Sequence, residues 1–404
     1  MKKISGGVCA AAGFKANGIH CGIRKNKSKS DLSLIVSDVP GAAAAVYTQN
    51  LVKGAPLTVT KNNISDGIAQ AIICNSGIAN TCCDNGIEAA EDMCTIAADA
   101  LGIKDIDVIV ASTGVIGMRL DTTPIKNGIG ALVEGLDSNG SSAAAAGIMT
   151  TDTVEKTAAY EFEAGGATCR IGGIAKGSGM IHPNMATMLV FITSDVLISS
   201  EMLKKALSDT VCDTFNMFSF DGDTSTNDMC AIIANGAAGN VFIQSEGEDY
   251  EAFKAALFAV MRDLSRSIAA DGEGASKLLE CTVNGAFNKA AAVKISKSVV
   301  CSSLTKAAMF GEDANWGRII CAVGYAGAPV SIDMVDITLK SEKGSVQVCS
   351  NGMGLDFSEE LAAEILSAKE IKILVSLKDG EASATAWGCD LTYDYVRING
   401  DYRT

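Results

Sequence analysis

Histidine is almost missing from this 404-residue chain: His20 and His182 are the only two, so a Ser/His/Asp triad has very few ways to be assembled. His182 sits in Ile181-His182-Pro183, where proline favours a turn, and it is read as a hydrogen-bonded structural group. Proline is scarce as well, at five residues; with 48% hydrophobic and 20% charged residues, that excludes an intrinsically disordered chain. None of the fourteen cysteines forms a C-x-x-C, and the adjacent Cys82-Cys83 pair has poor geometry for a closed zinc site. Reduced, mostly buried thiols of a cytosolic protein are the expectation. Basic residues are the minority, 33 against 47 acidic for a net charge of -14, which disfavours nucleic acid and anionic membrane surfaces as partners. No apolar run approaches the roughly 20 residues that span a bilayer. The start, MKKISGGVCAAAGFKANG, is basic but lacks a continuous apolar stretch, so no signal peptide is expected.

What is present is length enough for two or three domains or one large layered unit. Forty-one glycines point to tight turns and close backbone packing. Short β-rich runs at Leu32 to Val36, Ala69 to Cys74 and Val108 to Ala111 end in turn formers. A helix is expected at Glu88 to Leu101 with Gly102 as its stop, and another within Leu136 to Ala146 behind a serine cap. Residues Ile148 to Thr153 read as an ordered pocket segment. The run MLVFITSD is too apolar for a half-exposed strand and is expected to be buried on both faces. Amphipathic helices follow at Glu201 to Phe215, capped by Ser199 or Ser200, and at Tyr250 to Ala270. From about Cys281 the pattern turns to strands, AAVKIS, VDITLK, VQVCS and IKILVSL, with a helix at Ser358 to Leu366.

The stretch with most chemistry in it is KGSGMIHPNMATMLV, Lys176 to Val190. In its Ala186-Thr187 pair, a hydroxyl is placed to attack the preceding carbonyl, shift the acyl group from nitrogen to oxygen and, after hydrolysis, leave Thr187 as a new N-terminus. The freed α-amine, with an ordinary pKa near ~7.7 to 8.0, is a general base beside the Oγ it must deprotonate. No histidine is required. Without its surroundings, the same threonine is as well read as a buried hydroxyl bonded to backbone.

The surroundings resemble a known family. The strings GGVCAAAGFKANGIHCGI, SDVPGAAAAVYTQN, ASTGVIG, TTDT, KGSGMIHPNMATML, SFDGDTSTND, DGEGASK, FGEDANWGRI and VRINGDYRT, in this order, resemble the ornithine acetyltransferases of arginine biosynthesis, the bifunctional glutamate N-acetyltransferase/amino-acid acetyltransferases. The resemblance implies an α+β fold, a four-layer αββα sandwich of the self-processing N-terminal-nucleophile type. Residues 1–280 would form that core, and 281–404 a smaller, strand-rich lobe whose tail returns to the active site. Cleavage between Ala186 and Thr187 would give an α chain of residues 1–186 and a β chain of 187–404, assembled as a dimer of heterodimers in the cytoplasm.

The implied reaction is ping-pong: Thr187 takes the acetyl group of N-acetylornithine, ornithine leaves, and glutamate accepts the acetyl group. The family pattern assigns the oxyanion hole to Thr113 and Gly114; taken alone, STG after an apolar strand is only a turn. Its substrate contacts fall on Thr150, Lys176, Thr187, Glu273, Asn399 and Thr404, with Lys176 suited to a carboxylate and Glu273 to an ammonium. No metal and no bound cofactor are implied, and acetyl-CoA stays open as a second acetyl donor. Three places depart from the family's wording: Ile78, the Cys82-Cys83 pair and Glu312, the last where arginine is common. The rival readings are a self-processing aminopeptidase or amidase, in which water resolves the acyl-enzyme, and an unprocessed binding protein.

Overall fold

The computed structural model describes residues 1–180 and 188–401. The chain begins with β1 (Lys2–Ile4), β2 (Phe14–Ile19), β3 (Leu32–Tyr47), α1 (Ala55–Asn63), β4 (Ile68–Ile78), α2 (Gly86–Leu101) and β5 (Val108–Val115). It continues through α3 (Thr123–Glu134), α4 (Ser141–Ile148), β6 (Lys156–Ala164), β7 (Ala167–Lys176), β8 (Leu189–Ser194), α5 (Ser200–Cys212), β9 (Met229–Ala234) and α6 (Glu248–Ala270). Last come β10 (Leu278–Ala286), α7 (Lys289–Cys301), α8 (Ser303–Phe310), α9 (Trp316–Gly324), β11 (Asp336–Ser341), β12 (Gly344–Ser350), β13 (Met353–Gly354), α10 (Glu359–Leu366), β14 (Glu370–Ser376), β15 (Ala382–Cys389) and α11 (Tyr393–Asp401).

The first sheet has the order β1-β6-β7-β8-β9-β3-β4-β5, with β2 added on β3. Strand β3 is the hinge between its two halves. Residues Leu32 to Val36 pair with β4, the register shifts and that pairing resumes at Gly41 and Ala42, and Ala42 to Tyr47 pair with β9. Pro40 lies in the irregular stretch, where a missing N–H costs no ladder bond. The side chains then sort into three layers of core. On one outer face Leu34, Ile73 and Val110 pack with Met93 and Ala97 of α2 and Ile125 of α3. Between the halves Ile35, Ile72 and Ile109 pack with Leu189, Phe191 and Ala231. On the other outer face Ile171, Val190 and Ile192 pack with Leu207 of α5 and Phe253 and Leu264 of α6. Helix, sheet, sheet, helix: the fold is α+β, a four-layer αββα sandwich made from one sheet bent on itself. All six residues of β8 are buried, which is why that run carries no polar alternation.

The second sheet, β13-β12-β11-β14-β10-β15, extends the same core: Leu279, Cys281 and Val283 of β10 share the cluster of α6. Two local readings of the sequence change. AAVKIS belongs to helix α7, because Asn288 caps it by accepting the Ala291 N–H at 2.8 Å and Ala291, Ala292, Ile295 and Val299 are buried at helical spacing; that period outweighs the β-branched residues. Helix α4 starts behind Gly140, not a serine cap. Ser141 instead turns its Oγ to the Val8 N–H, at 3.1 Å, and so pins the N-terminal segment. The expected cap of α5 is Ser199, whose Oγ accepts from the Met202 N–H at 3.2 Å, an interaction worth ~1 kcal/mol.

Candidate active site

Toward its end strand β5 carries Ser112, Thr113 and Gly114, in parallel register with Asn75, Ser76 and Gly77 of β4. Gly114 has φ 133° and a Cβ there would lie 2.2 Å from the Gly77 carbonyl carbon, so only glycine lets the two strand ends approach. Asn227, just ahead of β9, holds this corner. Its Nδ2 donates to the carbonyls of Ala79 at 2.5 Å and Ser112 at 3.0 Å, and its Oδ1 accepts from the hydroxyls of Thr81 and Thr226, each at 2.6 Å. Every polar atom of that buried amide is in use.

Lys176 ends β7 and donates from Nζ to Thr113 Oγ1 at 3.3 Å. Thr113, Lys176, Gly179, Met188, Asn227 and Asp228 line one cleft. Burial lowers the Lys176 ammonium below the ordinary lysine value; Asp152 and Asp228 oppose that, and Lys156 adds to it. Asp228 is 2% exposed, and burial pushes its carboxyl well above the usual carboxylate range against the pull of Ser225, Lys176 and Thr48. Its Oδ2 has no hydrogen-bond partner among the described residues.

A second group of segments closes on the same strand end. The Thr150 N–H donates to Asp152 Oδ2 at 3.0 Å, while Asp152 Oδ1 accepts the Gly177 N–H at 2.7 Å. Burial works to raise the Asp152 carboxyl, but Lys176 and Lys156, with the Thr150 N–H, outweigh it and hold the group well below the usual range. The hydroxyls of Thr151 and Ser178 lie 2.6 Å apart, and Ser178 O accepts the Glu273 N–H at 2.9 Å. Gly179 passes so close to the Glu273 carboxyl that a Cβ would lie 2.5 Å from it. Helix α11 is brought in by Thr392, whose hydroxyl donates to Gly274 O at 2.6 Å, and by the edge-on contact of Tyr395 with Phe220, 5.3 Å between ring centroids. Asn399 Nδ2 then donates to Glu273 Oε2 at 2.9 Å.

Of the residues singled out from sequence, the structure sets Thr113, with Gly114 after it, against Lys176, ties Thr150 through Asp152 to Gly177, and places Glu273, with Asn399 bonded to it, against Ser178 and Gly179. Ala186, Thr187, His182 and Thr404 lie outside the described residues. His20 is spent on Asp31, 3.0 Å from its Nδ1. The residues that sequence reasoning missed are Asp152, Lys156, Asn227, Asp228 and Asp271; all stand in or next to the recognised strings TTDT, SFDGDTSTND and DGEGASK, yet nothing in an Asp or Lys codon signals burial. Among the described residues no group of three or more His, Cys, Asp or Glu is placed to hold a metal ion.

The model of the ArgJ family matches residues 15–404. The chain belongs to the ArgJ family. It is 49% identical over 406 residues to the arginine biosynthesis bifunctional protein ArgJ of Symbiobacterium thermophilum, covering 100% of both chains. The Bacillus subtilis protein of the same name is 46% identical over 404 residues, with 100% of this chain and 98% of that one covered. The crystal structure of the Bacillus halodurans arginine biosynthesis bifunctional protein superposes with a TM-score of 0.50 at 45% identity, covering 52% of this chain and 98% of that chain.

One of the departures from the family's wording, Glu312, has a local explanation. Glu312 accepts from Lys277 Nζ at 3.1 Å, and that buried ammonium also donates to Met309 O at 3.0 Å and Leu366 O at 2.8 Å. An acid at 312 thus supplies the charge partner of a buried lysine that has no other ion pair among the described residues. Cys83 Sγ is 3.2 Å from Asn80 Oδ1, inside the turn that leaves β4, and Cys82 is exposed. Nothing in the structure explains Ile78.

Proposed function

We propose that this chain is the acetyltransferase of arginine biosynthesis that moves the acetyl group of N-acetylornithine to glutamate through an acetyl-Thr187 ester, after cutting itself between Ala186 and Thr187. The observation that carries the reading is the 49% identity, over full length, with a protein named arginine biosynthesis bifunctional protein. In the first half-reaction Thr187 Oγ attacks the acetyl carbonyl, its proton passing to the Thr187 α-amine and from there to the departing ornithine nitrogen. In the second half-reaction the amine of glutamate attacks the ester, and the proton runs back to Oγ.

Each tetrahedral intermediate carries an oxyanion, and Thr113 and Gly114 are the donors proposed for it. The cleft geometry supports this. Because Lys176 Nζ donates to Thr113 Oγ1, the threonine keeps its own proton for another acceptor, and a hydroxyl that accepts from a cation is the stronger donor. Thr150, Lys176, Glu273, Asn399 and Thr404 are proposed to hold the zwitterionic substrates, the ammonium ends toward Glu273. Acetyl-CoA as an additional acetyl donor, a dimer of cleaved heterodimers and a cytoplasmic location belong to the same proposal. No helix among the described residues is long and apolar enough to cross a membrane.

The test is incubation with N-acetylornithine, with and without glutamate. Ornithine and N-acetylglutamate formed together only when glutamate is present support the reading. Acetate released at a rate indifferent to glutamate overturns it in favour of a hydrolase.

A further inference from the structure

Three of the proposed substrate residues, Thr150, Lys176 and Glu273, sit on separate pieces of chain, and one buried ammonium joins those pieces. Lys156 opens β6 with its side chain 0% exposed. Its Nζ donates to Asp152 Oδ1 at 2.7 Å, Asp271 Oδ2 at 2.5 Å and Val154 O at 3.4 Å, which uses all three of its protons. Asp152 hands the connection to the N–H groups of Thr150 and Gly177, the first a proposed substrate residue and the second adjacent to Lys176. Asp271 hands it to the Thr153 N–H at 3.1 Å and, through Oδ1, to the Thr153 hydroxyl. Two residues beyond Asp271 stands Glu273.

A lysine is seldom buried this completely, and an ion pair in low-dielectric surroundings contributes little net stability over a well-packed apolar group. What it does supply is geometry: a point charge with three donors fixes the distance between two carboxylates that belong to different segments. We infer that Lys156 is a positioning residue of the acetyl-transfer site, holding the Thr150 segment, the end of β7 and the Asp271–Glu273 loop in one register so that Thr150, Lys176 and Glu273 meet the same substrate. The inference rests on the reaction proposed above. It does not make Lys156 a catalytic residue, because Lys156 touches none of the reacting atoms.

Two variants test it, Lys156→Arg and Asp271→Asn. The first keeps the charge but replaces a compact ammonium by a planar fork, and the second keeps the shape but removes one of the two charges the ammonium faces. Each is measured three ways: intact mass for cleavage, amide hydrogen exchange at Thr150 and Gly177, and separate kcat and KM for N-acetylornithine and glutamate. The expected result is a cleaved, folded protein in which those two amides exchange at least tenfold faster and KM rises about tenfold or more while kcat changes much less, since roughly 1 Å of misplacement is enough for large effects. A wild-type rate of amide exchange, or faster exchange with unaltered KM, overturns the inference. So does a loss of activity that follows only the fraction of protein folded. If Lys156→Arg does not fold, Asp271→Asn decides by the same criteria. Absence of acetyl transfer in the wild type would instead sink the proposed reaction, with the amide exchange still reporting whether Lys156 ties the segments together.

Discussion

Replacing Asn227 by aspartate is the sharpest probe of how the cleft is built. The change keeps the shape of the side chain and removes two donors, so the carbonyls of Ala79 and Ser112 would face a carboxylate oxygen inside the protein. Leaving a buried polar group unmatched costs ~1–3 kcal/mol, and two such groups give roughly 2–6 kcal/mol. With an unfolding entropy of ~2.1 cal/mol/K per residue over 404 residues, about 0.85 kcal/mol/K in all, the melting temperature of Asn227→Asp should fall by about 2–7 °C. The larger effect is on chemistry. Ser112 immediately precedes Thr113, so releasing its carbonyl lets the proposed oxyanion donors shift, and ~1 Å of displacement is worth about a hundredfold in rate. Thermal melts read the first quantity, and the rate of ornithine formation per folded molecule reads the second. A normal rate with a lowered melting temperature would mean that the Ser112 tether serves stability alone. If neither changes, the hydrogen-bond reasoning about this corner fails.

Further expectations follow from the same geometry. Thr113→Val removes the hydroxyl that accepts from Lys176 and should lower kcat by about a hundred- to a thousandfold with the melting temperature nearly unchanged; steady-state kinetics at saturating substrates check it, and a loss under tenfold would take Thr113 out of the oxyanion hole. Deleting residues 399–404 removes the Asn399 bond to Glu273 and should leave a folded protein with little transferase activity, so full activity would exclude the tail from the site. Because the folded Asp152 carboxyl is held below its ordinary value by Lys176 and Lys156 against burial, its stabilising effect is complete above the unfolded value of ~3.9 and is lost only as pH falls below it. The stability gap between wild type and Asp152→Asn should therefore be constant from about pH 7 to 5 and narrow below about 4, as followed by melting temperature; narrowing already above pH 5 would contradict the assignment.

Much of the fold can be read from local pattern. The run MLVFITSD announces a strand buried on both faces, and β8 is one; the spacing of Glu88 to Leu101 with Gly102 marks α2, where Gly102 adopts the left-handed conformation. Pattern misleads at AAVKIS, where β-branched residues suggest a strand but Asn288 and the spacing of buried positions make a helix. The bend of β3 is invisible to local reasoning: its 16 residues form one strand, and only pairing with β4 on one stretch and β9 on the other divides it between layers. At Thr113-Gly114 and Lys176 the candidates come from the family resemblance, since STG taken alone is only a turn; what the structure adds is the approach of Lys176 Nζ to Thr113 Oγ1 at 3.3 Å. The site was illegible where charge is buried, because Asp152, Lys156, Asp228 and Asp271 look like ordinary surface residues until long-range contacts, such as that of Lys156 with Asp271 115 positions away, enclose them. Asn399 is a parallel case; an exposed residue near the chain's end gains meaning only when α11 docks on Gly274.

The central claim is that the chain activates itself by exposing the amine of Thr187, and intact-mass measurement of wild type beside Thr187→Ala tests it most directly. The account predicts two fragments from the wild type, residues 1–186 and 187–404, and a single uncut 41.6 kDa chain from the variant. A wild type that remains in one piece while turning over substrate, or a variant that is still cut between 186 and 187, would contradict it.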